Sequence, residues 1–373
     1  MTRGSWASLQ GNEYQPGALF FFLLPYLLTS FGISTLSAFF LVNAVLLVLH
    51  VVVLKHLGGA KAAGIGLLLF LAAGPISYFR FELLVSFLVL VSFLAWLKER
   101  PLLSGALLGL AGGVKIYPLF LAPIFLRQSV SPRTPQAVCH FALGCVAGLG
   151  FLLTAFWLTG GTGESLVESL RYHIQKPVSV FSVTGGIALL AGSIHGTLPQ
   201  PVNAYGIHGF LLHESVGLVS ALGLLCSLAV VSLATPKGNV SPRERMARSM
   251  LLMHVALVSF LVWPTGLQPQ YLLWPLAFTA LLPVAGLPWW RVLPVVSLHA
   301  VVLLTAQILY PVRFDDLLDI MYRRVVAPEL LVFLLLGVMA LLLLYLEVVR
   351  AVKNTWHILP RSFLSFRIDG HHR

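Results

Sequence analysis

Apolar stretches of membrane-crossing quality recur along this chain, at 36–54, 62–77, 81–97, 137–158, 209–234, 249–264, 270–286, 292–310 and 328–349. A helix needs roughly 20 apolar residues to cross the hydrocarbon core, so these stretches set a count of spanning helices rather than of soluble domains. Charged residues are only 10% of the chain and mean hydropathy is +0.90, against about 25% charge in a soluble domain. No linker, repeat or low-complexity tract interrupts the pattern. The expected fold is all-α and polytopic, with about 10–11 transmembrane helices in one integral membrane domain over residues 1–373. Two shorter apolar stretches, 17–31 and 178–193, read as re-entrant or interfacial helices.

One residue resists this pattern. Lys115 sits inside the 25-residue apolar segment Leu102–Leu126, whose other residues are uncharged. An ammonium at bilayer depth costs on the order of 3 kcal/mol or more. It is flanked by Gly112-Gly113 and by Pro118, which removes a backbone donor and tends to break a helix just before it. The simplest reading is two short helices meeting at a polar site, broken near Pro118, with Lys115 placed to meet a negative ligand.

Loop charge then orients the chain, because Lys and Arg favour cytoplasmic loops. If 17–31 spans and 102–126 is one helix, the basic residues divide 13 inside to 10 outside, with Lys115 in the membrane. If 17–31 only dips in and the chain crosses twice around Lys115, they divide 16 to 8. The second arrangement is preferred. It makes residues 1–35 an outer re-entrant segment and 350–373 a basic cytoplasmic tail. It also puts Glu13-Tyr14-Gln15-Pro16, Arg80-Phe81-Glu82, Lys115, Arg171–Lys176 and Gln268–Tyr271 on the extracytoplasmic side, as a one-sided active site or vestibule. The net charge of +11 suits anionic lipid and does not require nucleic acid.

Each cluster also has a plainer reading. Ser165 and Glu168 have capping-box spacing, so a short helix is expected to start near Leu166. Arg171, His173, Gln175 and Lys176 follow it, able to bind phosphate or simply to touch headgroups. Gln268-Pro269-Gln270-Tyr271 is expected to open a spanning helix, with Gln, Tyr and Trp as interfacial anchors. Arg80 and Glu82 flank another helix start and can neutralise each other. Gly105, Gly109, Gly112 and Gly113 suit close helix packing. Intramembrane His50, His254, His299, Asn43 and Gln307 read as interhelical hydrogen bonders. Asp315, Asp316 and Asp319 carry the ligand chemistry for a divalent cation, although a solvated turn is simpler. Cys139, Cys145 and Cys226 lack metal-ligand spacing, and no cofactor, metal site or disulfide is expected.

Taken in order, these segments resemble the C-type glycosyltransferases, and within them family 87, hexosyltransferases that use polyprenyl-phosphate sugars. Glu13-Tyr14-Gln15-Pro16 is similar to that family's "EYPP" motif and Arg80-Phe81-Glu82 to its Arg-aromatic-acid step. Pro101–Pro123, with Gly105, Gly109, Lys115 and Tyr117-Pro118, resembles its glycine-rich Lys-x-Tyr-Pro stretch. Gln268–Trp274 resembles "SPQYLLW" with Gln in place of Ser, and Tyr172-His173 to Ser182 is a looser match to an outer loop with Lys176 in place of Arg. In the family a first helix and an outer loop with the catalytic Asp precede "EYPP". That region is absent here, so the expectation is a fragment, a base elsewhere, or an inactive chain. Glu13 is the nearest acid.

The resemblance implies transfer of a hexose, mannose in the first instance, from a polyprenyl-phosphate sugar to an extracytoplasmic lipid or glycan acceptor with inversion, in the plasma (inner) membrane. Substrate-binding roles fall to Lys115, Tyr117, Arg80, Glu82, Arg171, His173, Gln175, Lys176, Gln268, Gln270 and Tyr271. Cations would meet the charge developing on the departing phosphate. The competing readings are a transporter or flippase for a lipid-linked sugar and a non-catalytic scaffold derived from the family.

Overall fold

The computed structural model describes residues 15–78, 80–128, 135–174, 176–202, 206–208, 214–233, 242–323 and 328–358. Glu13 and the end of the basic tail lie outside them. Helix α1 (Pro16–Thr29) begins with proline at its first turn, where the missing amide costs nothing. At about 21 Å for 14 residues it is shorter than the hydrocarbon core. Ser34 caps α2 (Thr35–Ala73) by accepting from Ser37 N at 3.1 Å.

The expected spans 36–54 and 62–77 are arms of this one 39-residue helix, bent at Gly59 (φ 68°, ψ −165°). Both arms are apolar, so hydropathy alone could not place the bend. The short α3 (Pro75–Tyr78) leads into α4 (Glu82–Leu97) and α5 (Pro101–Val114). A 3-10 turn (Tyr117–Leu121) and α6 (Ala122–Gln128) follow, so 102–126 is indeed two short helical pieces. The break falls at Lys115, three residues before Pro118, which sits in the first turn of the 3-10 helix.

Helices α7 (Pro135–Leu158), α8 (Gly163–Ile174) and α9 (Val183–His195) come next, with a small antiparallel sheet in the order β1 (Val178–Ser179), β3 (Gly206–His208), β2 (Gln200–Pro201). Helix α8 starts earlier than expected. Thr162 and Ser165 cap it reciprocally, each side-chain oxygen accepting from the other's amide at 3.1 and 3.2 Å, and Glu168 is not the capping partner. After α10 (Glu214–Leu233) and α11 (Pro242–Val262) comes the largest departure from expectation. Residues 270–286 are not a continuous spanning helix but a 3-10 turn (Pro269–Leu273), a short α12 (Leu276–Ala280) and another 3-10 turn (Leu282–Ala285). Pro269, Pro275 and Pro283 remove the amides that a helix here would use. Such backbone survives at membrane depth only where protein encloses it, and Leu272, Leu273 and every residue of α12 are buried.

The chain closes with α13 (Trp289–Gln307), two π-turns (Ile308–Val312 and Asp319–Arg323) around α14 (Phe314–Leu318), and α15 (Pro328–Ile358). Among the described residues four helical stretches, α2, α7, α13 with the π-turn that follows it, and most of α15, are long and apolar enough to cross a membrane, and several shorter apolar helices accompany them. Helices α2 and α7 present Phe40, Val48, Val52, Val146 and Phe151 outward, an apolar surface of the kind that a membrane covers. Lys61 over the Trp289 ring (5.6 Å) and Arg291 over Trp290 (4.5 Å) pair cations with Trp rings, residue types that favour membrane interfaces. This is an all-α integral membrane protein.

Helices α5 and α7 meet backbone to backbone through a reciprocal glycine seam. A Cβ on Gly105 or Gly109 would come within 2.0 Å of Phe141 O or 2.2 Å of Cys145 O, and one on Gly144 or Gly148 within 2.2 Å of Leu102 O or Ala106 O. Gly17 of α1 also lies against α5, where a Cβ would come within 2.6 Å of the Gly113 backbone. The seam fixes the end of α5 where Lys115 emerges. The buried polar residues are tied within this frame. Asn43 donates to Tyr78 O at 2.8 Å. His50, expected to bond between helices, instead bonds Leu46 O one turn back in its own helix, at 2.9 Å. The three cysteines are free thiols.

Gly109→Ala is expected to lower stability by about 1–3 kcal/mol through overpacking. Gly150→Ala, whose Cβ meets open space, is expected to be neutral or slightly stabilising. Unfolding in mild detergent by denaturant titration checks both, and a Gly109→Ala protein as stable as wild type would contradict the seam.

Candidate active site

Helix α5 closes on Lys115, whose amide donates to Ala111 O at 2.9 Å before the residue turns extended (φ −147°, ψ 138°). Its ammonium lies 3.1 Å from Glu82 Oε1 and over the rings of Tyr271 (4.3 Å) and Phe81 (5.0 Å). The cation in this apolar segment is thus met by a carboxylate and two π-faces, both of which favour the charged form. Glu82 is 1% exposed, and its Oε2 has no hydrogen-bond partner among the described residues. The plainer reading, mutual neutralisation of Glu82 and Arg80, is not the pairing the fold makes: the ion pair of Glu82 reaches across to α5. Arg80 extends the other way and donates to Tyr310 Oη at 2.6 Å.

Tyr271 belongs to the 3-10 turn that replaced the expected helix. Its ring stacks on Trp274 (4.4 Å, 18°), and Trp274 stacks on Tyr117 (3.6 Å, 15°). The three rings form a rigid wall, and Lys176 lies over the same Tyr271 ring at 5.9 Å. Two cations from distant stretches of sequence, Lys115 and Lys176, therefore converge on the Tyr271 ring.

Two clefts share this wall. The polar one is a narrow groove lined by Gln15, Arg80, Phe81, Glu82, Val114, Lys115, Lys176, Gln268, Gln270 and Tyr271. The other, with about 910 Å³, keeps Gln15, Lys115, Lys176 and Tyr271 but is otherwise lined mainly by Ile116, Tyr117, Gly217, Ala221, Leu224, Gly266 and Trp274. Both volumes open to the exterior. One side of the wall suits hydroxyls and charge, the other an apolar chain.

Seven expected site residues (Arg80, Glu82, Lys115, Lys176, Gln268, Gln270 and Tyr271) meet in the polar cleft, and Tyr117 lines the second. Arg171 is exposed on α8 and lines neither cleft. The side chains of His173 and Gln175 lie outside the described residues, as does Glu13. Asp315, Asp316 and Asp319 also stand outside both clefts, and Asp316 pairs with Arg313. Sequence reasoning passed over Gln15, Phe81, Trp274 and Tyr310 as site residues. Gln15, Phe81 and Trp274 lie inside motifs already singled out, whereas nothing local marks Tyr310.

The sequence model of glycosyltransferase family 87 matches residues 13–264. The chain belongs to this family. The match covers two thirds of the sequence and takes in Gln15, Arg80, Glu82, Lys115 and Lys176. Gln268, Gln270 and Tyr271 of this family 87 protein lie beyond it and join the cleft through the fold. Among curated proteins none matches. Family and helices together make the chain a membrane glycosyltransferase.

Breaking a buried ion pair leaves one charge uncompensated, at a cost of roughly 3–5 kcal/mol. Glu82→Gln is expected to destabilise the protein by about 3 kcal/mol, while Glu82→Gln combined with Lys115→Met regains most of the loss. A double-mutant cycle from unfolding midpoints measures the coupling, and strictly additive single effects would contradict the pairing.

Proposed function

We propose that this protein transfers a hexose, mannose as the first candidate, from a polyprenyl-phosphate sugar to a lipid or glycan acceptor on the extracytoplasmic side of the plasma membrane, with inversion. The observation that carries this reading is the shared wall. Lys115 and Lys176 both lean on Tyr271 where a polar cleft meets an apolar one. A lipid-phosphate sugar has that same order of parts: apolar chain, anionic link, polar ring.

On this reading the phosphate lies against Lys115 and Lys176, the isoprenoid runs into the cleft beside Trp274 and Leu224, and Gln268, Gln270, Arg80 and Glu82 hold sugar hydroxyls. The acceptor oxygen attacks the anomeric carbon, the bond from that carbon to the phosphate oxygen breaks, and its electron pair leaves with the phosphate. The hydroxyl proton passes to a carboxylate base, for which Glu13 is the candidate. Attack from the face opposite the leaving group gives inversion. The two ammonium groups are preorganised for the charge that grows on the phosphate, so they stabilise the transition state more than the ground state. Arg171, His173 and Gln175 keep the donor-binding role that the family resemblance implies, and the cytoplasmic C-terminus follows from the loop-charge count.

The test is transfer from a synthetic polyprenyl-phosphate mannose by the full-length protein in lipid nanodiscs, with anomeric configuration read by NMR. Lys115→Ala is expected to lower kcat by about 100-fold or more, with Lys115→Arg intermediate. Donor binding without transfer in the wild type would point to carriage of the lipid rather than chemistry, and full activity in Lys115→Ala would refute the phosphate role.

A further inference from the structure

Tyr271 and Gln270 sit on a turn that lacks ordinary backbone support. In a 3-10 turn the carbonyl of residue 272 would accept from the amide of residue 275, but residue 275 is proline. The carbonyl of Leu272 is buried in an environment where an unpaired oxygen is costly. His299, from α13, approaches it with Nε2 at 3.0 Å. Its other nitrogen, Nδ1, lies 2.8 Å from Thr279 Oγ1 on α12, and that hydroxyl lies 2.9 Å from His254 Nε2 on α11. All three side chains are fully buried.

Hydrogen-bond chemistry orders the protons along this chain. A carbonyl only accepts, so His299 Nε2 carries a hydrogen and donates it to Leu272 O. In a neutral imidazole Nδ1 must then accept, so the Thr279 hydroxyl donates to it. With its hydrogen committed, Thr279 Oγ1 accepts from His254 Nε2–H. His254 Nδ1 is left as a lone pair, and it has no partner among the described residues. The hydroxyl also lies 3.2 Å from Pro275 O, a longer contact that the same hydrogen can share. The tautomers are thus assigned from the pattern of partners. One direction of donation, His254 to Thr279 to His299 to Leu272, satisfies every link.

We propose that His299, oriented by Thr279 and His254, is the positioning residue for the turn that presents Gln270 and Tyr271, and through Tyr271 for both ammonium groups. The inference rests on the proposed role of that turn in holding the donor. Without the tether Leu272 O has no donor in the 3-10 pattern, and the turn can shift against Lys115 while the helices stay packed. A displacement of about 1 Å at a reacting centre can cost of order 100-fold in rate. A group that acts on the developing phosphate charge shows that loss in kcat rather than KM.

The test compares His299→Phe, His299→Gln and Thr279→Val in full-length protein in nanodiscs, with His50→Phe as a control for losing a buried histidine away from the site. Two readouts are taken: hydrogen exchange of the peptide carrying 269–274, and kcat and KM with polyprenyl-phosphate mannose. His299→Phe is expected to speed exchange of the turn about tenfold or more without affecting α5 or α15, and to lower kcat by about 10- to 100-fold at little-changed KM. His299→Gln, whose amide can donate to Leu272 O, recovers most of both, and His50→Phe changes neither. Thr279→Val, which keeps the volume and removes the hydroxyl, gives an intermediate effect and serves if His299→Phe does not fold. Turn exchange that is unchanged in both His299→Phe and Thr279→Val overturns the tether. A wild type that neither binds nor transfers the donor refutes the proposed function instead, and the exchange readout still decides the tether.

Discussion

A cation buried in an otherwise uncharged segment is the constraint around which this end of the molecule is organised. Lys115 needs its charge compensated where water is scarce, and Glu82 supplies the counter-charge at 3.1 Å with two aromatic faces beside it. Meeting that need fixes relative positions that no local rule sets. The start of α4 must lie beside the end of α5. The turn bearing Tyr271 must reach the same point. The glycine seam between α5 and α7, with Gly17 against Gly113, holds the end of α5 still enough for the ammonium to have one address.

The same arrangement explains why irregular backbone is concentrated here. Lys115 adopts an extended conformation between two helical pieces, and 269–285 is built from 3-10 turns and a short helix. A regular helix would bury its polar groups in its own backbone ladder and point side chains outward from one axis. The irregular segments let Gln268, Gln270 and Tyr271 converge from one short turn, at the cost of carbonyls that others must satisfy. His299 meets one such need at Leu272 O, and Ser86 Oγ, one turn beyond Glu82, lies 3.4 Å from Leu273 O.

Much of the fold class was legible because apolar density in a chain of this kind has one physical outcome. The break at Lys115 was also readable, since a cation, two glycines and a proline coincide there, although the helix ends at the cation and not at the proline. What hydropathy could not distinguish was a span from a buried irregular segment, because 270–286 is as apolar as its neighbours and only its prolines carry the difference. It likewise missed the joining of 36–54 to 62–77, where one glycine bends a helix without interrupting its apolar character. Partners across the fold were the least legible. Arg80, two residues away, is the partner that sequence distance offers Glu82, while the fold gives it Lys115. Tyr310 reaches Arg80 from 230 positions away, and no short-range pattern encodes that contact.

On the proposed reading, Glu82 and the donor phosphate are two partners for the same ammonium, with Lys176 as the second arm. The most direct measurement is a structure of the full-length protein with a polyprenyl-phosphate sugar bound in nanodiscs. The account predicts the phosphate in salt-bridge reach of both Lys115 and Lys176, within about 4 Å, with the isoprenoid beside Trp274 and the sugar between Gln270 and Glu82. A phosphate bound away from Lys115, with the Lys115–Glu82 pair intact and the polar cleft empty of sugar, would contradict it.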